Sequence, residues 1–306
     1  MKLSFTKMDG LGNDFVMIDD MEGAIELEPR QVAYLCDRHF GIGGDGVILV
    51  RPSEKDDCAG YMHYYNADGS LAQMCGNGVR CFSKFLIDHG YVDASAGSFV
   101  ADTLAGRRPI SFQVDDAGKM TVATVDMGQP ILAAAEVPVA LPENAQYEEV
   151  GYVRETAIES PWGAFEFTCV SMGNPHAITF IEDFQALPDA IFDDPSNKSL
   201  ETLNLNTVGR FYESNPAFPE KANIEFIQVC EDGLHMRVYE RGDGETLACG
   251  TGACASNVAA ALTGRAGRVN DVHLRGGVLH IDWSSNGHVF MTGPAAASFT
   301  GEIEID

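Results

Sequence analysis

The sequence predicts a mixed α/β protein made of two similar lobes, and three observations lead there. A chain of 306 residues is long for one average core and suits two lobes of roughly 150 residues each. Runs of period-2 alternation, bounded by Gly, Asp or Asn, are interspersed with segments of helical spacing. Finally, the stretch "QMCGNGVRC" at residues 73–81 has a near twin, "LACGTGAC", at residues 247–254, and each is placed to open a helix.

From the N-terminus, strands are expected at residues 2–6, 15–18, 46–50 and 61–65. A helix begins at Pro29, whose fixed φ suits a first turn, and ends before Gly41. Residues 110–126 read as a hairpin turning at "DDAG", residues 224–240 as a second turning at "EDG", and residues 272–291 as a third turning at "SSNG". The helices at the repeated stretches run from about residue 78 to 89 and from about 252 to 263. In the first, Val79, Phe82 and Leu86 have helical spacing and Gly90 follows as a left-handed stop. The second is rich in Ala, is closed by Gly264, and is expected to pack tightly in the centre of a lobe.

What precedes each cysteine also repeats. Tyr65 lies ten residues before Cys75 with Asp68-Gly69 between them, and Tyr239 lies ten residues before Cys249 with Asp243-Gly244 between. Each lobe therefore reads as strand, Asp-Gly turn, cysteine, helix. A fainter echo pairs Gly12-Asn13 with Gly173-Asn174.

Composition narrows the function. Lys and Arg number 20 against 45 Asp and Glu, a formal net charge of −25, so nucleic acid and anionic membranes are not expected partners. The N-terminal residues carry no apolar signal core, and the most apolar run is interrupted by Glu136 and Pro138, so no leader or membrane span is expected. Eight cysteines without a leader point to reduced thiols in the cytoplasm, and the lack of a Cys-x-x-Cys pair argues against a zinc ribbon or a thioredoxin-type site.

A cysteine just before a helix N-terminus lies in the positive end of the helix dipole, beside unpaired N–H groups. That position is expected to lower the thiol pKa of Cys75 and Cys249 and make each available as a base. The other six cysteines read as small buried or surface residues. Gly76, Gly78, Gly250 and Gly252 would let a ligand carboxylate approach the backbone, so two helix N-termini could grip one anion. One Cys-Gly-x-Gly alone is a tight turn; two in a duplicated setting suggest opposed thiols on either side of one carbon. Stereoinversion at an acidic C–H needs that arrangement, one thiolate removing the proton and one thiol returning another. Asn13, Asn66, Asn174 and Asn223 flank turns or strands where they could orient such a substrate. The adjacent Glu240 and Arg241 could hold an amino group and a carboxylate, and His176 is either a proton relay or a satisfied core histidine.

The blocks "KMDGLGNDF", "YYNADGSLAQMCGNGVRC", "SMGNPHAITF", "FPEKANIEF", "YERGDGETLACGTGACA" and "MTGPA" resemble, in order and along nearly the whole chain, those of the diaminopimelate epimerase family. Proline racemases and phenazine-biosynthesis proteins, related groups, typically read Cys-Gly-His where this chain has Cys75-Gly76-Asn77. The resemblance implies two pseudo-symmetric lobes, each a curled mixed sheet around a central helix. The lobes would comprise residues 1–127 with 295–306, and 128–294, with a boundary near Gly128-Gln129-Pro130 and a C-terminal strand at about 296–305 returning to the first lobe. It implies interconversion of LL- and meso-diaminopimelate without pyridoxal phosphate or metal, in the route to lysine and peptidoglycan, by a homodimer acting on a small amino acid. By resemblance Cys75 and Cys249 are the catalytic bases, and His176 and Glu240 assist. Asn13, Asn66, Asn174, Asn223, Glu240 and Arg241 bind substrate, and the backbones of Gly76-Asn77 and Gly250-Thr251 cradle a carboxylate. Lys221 stands where the family more often has Gly, and residues 143–161 and 182–215 match poorly.

Three alternatives compete. A racemase of another amino acid, such as histidine, would keep the mechanism but has no need of Asn66 or the Glu240-Arg241 pair. A cysteine hydrolase with His176 as base leaves the second cysteine without a task, and a thiol-redox or metal-binding protein leaves the asparagines without one.

Overall fold

A computed structural model describes all of residues 1–306. The chain divides into two compact units, residues 1–126 with 292–306, and residues 127–291. No helix is long and apolar enough to cross a membrane.

The first unit contains β1 (Lys2–Gly10), β2 (Asn13–Asp19), α1 (Pro29–Cys36), β3 (Gly46–Arg51), β4 (Gly60–Asn66), α2 (Gly76–Asp88), β5 (Ser98–Thr103), β6 (Gly106–Val114) and β7 (Met120–Asp126). The second follows with β8 (Ala145–Tyr147), β9 (Val150–Tyr152), β10 (Thr156–Ile158), β11 (Phe165–Ser171), β12 (Pro175–Phe180), α3 (Leu205–Glu213), β13 (Asn223–Cys230), β14 (Gly233–Glu240), β15 (Gly244–Thr246), α4 (Gly250–Thr263), β16 (Val269–Leu274), β17 (Gly277–Trp283) and β18 (Val289–Gly293). The last strand, β19 (Ala296–Glu304), rejoins the first unit by pairing antiparallel with β1.

Pairing directions give the duplication a physical form. Along β1, β2, β3, β4, β5 and β6 the neighbours are antiparallel, parallel, antiparallel, parallel and antiparallel. The series β11, β12, β13, β14, β16 and β17 repeats that order. Parallel neighbours need a crossover, and helices supply it at the same places: α1 and α3 before the first parallel partner, α2 and α4 before the second.

Each crossover helix after a cysteine is enclosed by its own sheet. Helix α2 touches β1, β2, β3, β4 and β7, and α4 touches β11 to β14, β16 and β17, so each mixed sheet curls around a central helix. Val79, Phe82 and Leu86 of α2 are fully buried. The interior of α4, by contrast, is Ala253, Cys254, Ala255, Ser256, Val258, Ala259 and Ala260. Small side chains let strands approach this helix on all sides, as its composition suggested. Gly90 (φ 80°) and Gly264 (φ 73°) close the two helices in the left-handed conformation that non-glycine residues resist.

Two expectations need correction. Both central helices begin two residues early, at Gly76 and Gly250, so the Gly-x-Gly segments form the first turns and the cysteines are the N-cap residues. Residues 272–291 hold parts of three strands, not one hairpin: the chain reverses first at Arg275-Gly276, between β16 and β17, and only then at Ser284 to Gly287. The Gly276-Gly277 pair was the signal for that extra turn. Residues 143–161 contain the β8–β9 hairpin, and residues 182–215 contain α3. Lys221 lies at φ 60°, in the left-handed region that glycine adopts more readily than a residue with a Cβ.

Candidate active site

In the first unit the site is assembled at the N-terminus of α2. Cys75 has extended backbone geometry and caps the helix, its Sγ accepting from the Gly78 N–H at 3.5 Å. A Cβ on Gly78 would lie 2.9 Å from Met62 Cε and 3.1 Å from Ile48 Cδ1, so the ends of those two side chains pack closely against this turn. Asn13, at the start of β2, brings its Oδ1 to 3.5 Å from the Cys75 thiol and accepts from Asn77 Nδ2 at 3.1 Å. Asn66, at the end of β4, donates to Ser70 Oγ at 3.0 Å.

Behind these lies an ionic frame that sequence reasoning did not find. Asn13 Nδ2 donates to Asp45 at 2.7 Å, Asp45 accepts from Arg38 at 2.8 Å, and Arg38 and Lys7 both hold Asp14. Burial pushes the Asp14 carboxyl up, but hydrogen bonds from Arg38 and Lys7 outweigh it and bring it down to about 2. Arg80, wholly buried, donates to Asn77 Oδ1 and to the carbonyls of Gly76 and Pro294, each at 3.0–3.1 Å. It fixes the carbonyl and amide of the α2 turn from inside the unit. Nothing in its helical neighbours, Asn77, Ser83 and Lys84, set Arg80 apart in the sequence.

In the second unit the site is built at the N-terminus of α4. Cys249 is 5% exposed and lies 3.5 Å from Thr251 Oγ1. Asn223 at the start of β13 accepts from the Arg241 backbone N–H at 2.8 Å and donates to Pro175 O at 3.2 Å, tying β12, β13 and β14 together at one end. His176 is fully buried between Asn174 Oδ1, 3.1 Å from its Nε2, and Glu225 Oε1, 2.6 Å from its Nδ1. The half-buried Glu240 accepts from Thr246 Oγ1. The Arg241 side chain is exposed and donates to Glu220 O at 3.1 Å.

Electrostatics here run against the simple helix-dipole expectation. Burial pushes the Cys249 thiol well above the usual range, and the carboxylates of Glu240 and Glu225 push it further. The Thr251 hydroxyl and the Gly252 N–H pull the other way without prevailing. Burial likewise raises the Glu240 carboxyl, partly offset by hydrogen bonds from Thr246 and Cys249. Burial and the two carboxylates therefore favour the protonated thiol at Cys249. Glu225 is the functional group most clearly missed: a charge in the apolar run "NIEFI", on the same strand face as Asn223, was a legible warning.

The fold defines a class first. It is shared with a probable proline racemase from Agrobacterium radiobacter K84 (TM-score 0.67, 14% identity, 99% of this chain and 93% of that one). A hydroxyproline epimerase from Agrobacterium vitis (0.66, 15%, 99% and 92%) and a phenazine biosynthesis protein of the PhzF family from Bacillus anthracis (0.65, 16%, 100% and 100%) also share it. The family described as Diaminopimelate epimerase matches residues 5–133 and 168–297. The chain belongs to the diaminopimelate epimerase family. It is similar over its full length to proteins of that name from Leptospira biflexa (43% identical over 306 residues, 100% of both chains) and Desulfitobacterium hafniense (45% over 305 residues, 98% of both). One from Methanococcus maripaludis is 42% identical over 306 residues, covering 99% of this chain and all of the other.

Proposed function

We propose that this protein interconverts LL- and meso-diaminopimelate by moving a proton from one face of an α-carbon to the other, with Cys75 and Cys249 as the two bases. The observation that carries the reading is the cysteine at the N-cap of the enclosed helix in each unit, Cys75 beside the Asn13 amide and Cys249 beside the Thr251 hydroxyl and the Glu240 and Glu225 carboxylates. One thiolate takes the α-proton, breaking C–H and forming S–H, and the other thiol gives its proton to the opposite face. Cys249 enters protonated and is the acid in the direction first taken; Cys75 is then the base, and the roles exchange in reverse.

The first-turn N–H groups of Gly76 and Asn77, and of Gly250 and Thr251, are donors a helix leaves unpaired, and they serve the substrate carboxylate as its α-carbon gains negative charge. Asn13, Asn66, Asn77, Asn174 and Asn223 orient the chain of the diamino acid, while Glu240 and Arg241 bind its ammonium and carboxylate ends. His176 and Glu240 adjust proton transfer at Cys249. The proposal uses no pyridoxal phosphate and no metal. It places the protein in the cytoplasm as a homodimer, supplying a precursor of lysine and peptidoglycan, with a small amino acid and neither nucleic acid nor membrane as its partner.

The test is proton NMR of reduced protein with LL-diaminopimelate in D₂O, without pyridoxal phosphate. Deuterium at one α-carbon of the meso product, with early remaining substrate still protonated, is the expected outcome. Absence of exchange in folded, reduced protein would overturn the assignment.

A further inference from the structure

A second donor cluster lies at the opposite end of the β13–β14 hairpin from Asn223 and Glu240, about 20 Å along the strands. Cys230 ends β13, Asp232 is in the turn, and His235 is on β14. One ligand atom from each of these three lies within 4.8 Å of the other two. Neighbouring β16 runs parallel to β14 and places His273 directly opposite His235, with the two rings stacked at 4.5 Å between centroids. Both rings turn the same nitrogen toward one carboxylate. His235 Nε2 is 2.9 Å from Asp232 Oδ1, and His273 Nε2 is 3.7 Å from Asp232 Oδ2 and 3.0 Å from the Asp232 carbonyl.

We propose that Cys230, Asp232, His235 and His273 bind one divalent transition ion of the zinc class. Donor chemistry selects the ion. A thiolate and two imidazoles suit zinc and its neighbours, whereas magnesium and calcium take oxygen donors. Ligands at about 2.0–2.3 Å from a tetrahedral ion are about 3.3–3.8 Å apart, so Cys230, Asp232 and His235 need to close by about 1 Å, while the His273 ring must also turn out of its stack on His235 to aim Nε2 at the same point. The cluster can do so: the Asp232 side chain is 61% exposed in a turn, and the two imidazoles are partly exposed. Binding removes the thiol proton of Cys230 and leaves each ring protonated on Nδ1 alone, so that both Nε2 lone pairs face the ion. The dication then balances one thiolate and one carboxylate. Ion pairing and the Asp232 carbonyl give both histidines partners in the absence of metal; the cysteine beside them is what adds a soft donor and points to a transition ion. The ion would pin the hairpin turn to β16, away from every residue assigned to the reaction.

The experiment uses the full chain carrying Cys75→Ala and Cys249→Ala, so that neither reaction thiol competes, stripped of metal and held reduced. Titration with Zn²⁺ against a chromophoric chelator should show one tight equivalent. Titration with Co²⁺ should show a near-ultraviolet thiolate-to-metal absorption that Cys230→Ser removes. Cys230→Ser, His235→Ala and His273→Ala should each weaken Zn²⁺ binding by more than about 100-fold, since losing even an outer partner of a ligand costs about 10- to 100-fold. No stoichiometric binding, or affinity unchanged by Cys230→Ser or His273→Ala, would overturn the site. If the double variant does not fold, thermal unfolding of the otherwise wild-type chain decides. Zn²⁺ should raise its midpoint but not that of His235→Gln, and equal shifts would overturn the proposal.

Discussion

Glu225 accepts a hydrogen bond from the His176 ring at 2.6 Å with both side chains closed to solvent, and its second carboxylate oxygen, Oε2, has no hydrogen-bond partner. The same carboxylate helps hold the Cys249 thiol above its usual range, after burial and Glu240. Glu225→Gln keeps the shape and removes the charge. The Cys249 thiol should then titrate lower, and kcat should fall by about 10- to 100-fold with little change in KM, since the residue acts through its neighbours and not on the substrate. The check is the pH dependence of alkylation at Cys249, followed by mass spectrometry. In the unaltered protein its rate should still be climbing at a pH where an ordinary thiol has levelled off. An identical profile in Glu225→Gln would remove Glu225 from this role.

Gly252 tests the crowding around that carboxylate. An added Cβ would come within 2.7 Å of Glu225 Oε1 and 3.3 Å of Cys249 Sγ, so one of the two must shift. Gly252→Ala should lower kcat/KM by about 100-fold, the cost of roughly 1 Å of misplacement, while circular dichroism stays unchanged. More than half of normal activity would show that the thiol position is not critical.

Replacing either thiol addresses the two-base chemistry itself. Cys75→Ala and Cys249→Ala should each lower epimerisation by at least about 10³-fold, within the range expected for loss of a general acid or base. Thermal unfolding should remain cooperative in both. Full turnover by either variant is incompatible with the proposed mechanism.

Asp14 carries a stability prediction with a definite pH window. Its carboxyl falls from 3.8 to about 2 on folding, despite burial that opposes the change. A lowered carboxyl stabilises the fold above the unfolded value and loses that contribution as pH falls through the folded value. Asp14→Asn should therefore cost about 2 kcal/mol at neutral pH, plus whatever the unpaired Lys7 adds. The gap in urea midpoints between the two proteins should narrow from about pH 4 downward. A gap independent of pH would mean that the Arg38 and Lys7 contacts contribute nothing through charge.

The legible part of this protein was the part written in short-range patterns. Two cysteines at helix starts, their matched Tyr and Asp-Gly spacings, and the Gly90 and Gly264 stops all depend on residues a few positions apart; the stops are found where they were expected, and the helix starts within two residues. What stayed hidden depends on long-range packing. Arg80 reaches Pro294, and Lys7, Arg38 and Asp45 meet around Asp14 and Asn13, with no local spacing to announce either group. The thiol error has the same origin. A helix N-terminus is visible in sequence, but the burial of Cys249 and the approach of two carboxylates from β13 and β14 are not.

Strand β19 makes the first unit depend on the end of the chain. Its residues pair with β1 from Lys2 opposite Glu304 to Asp9 opposite Ala296, and Ile305 is buried with Leu3 and Val16 in that unit's core. During synthesis β1 leaves the ribosome well before β19. Until β19 follows, one edge of β1 presents bare N–H and C=O groups, a template for pairing with other chains. The uninterrupted second unit has all its strands first, so vectorial folding reverses the usual N-to-C order here, and a nascent chain stalled before residue 296 would be the aggregation-prone form.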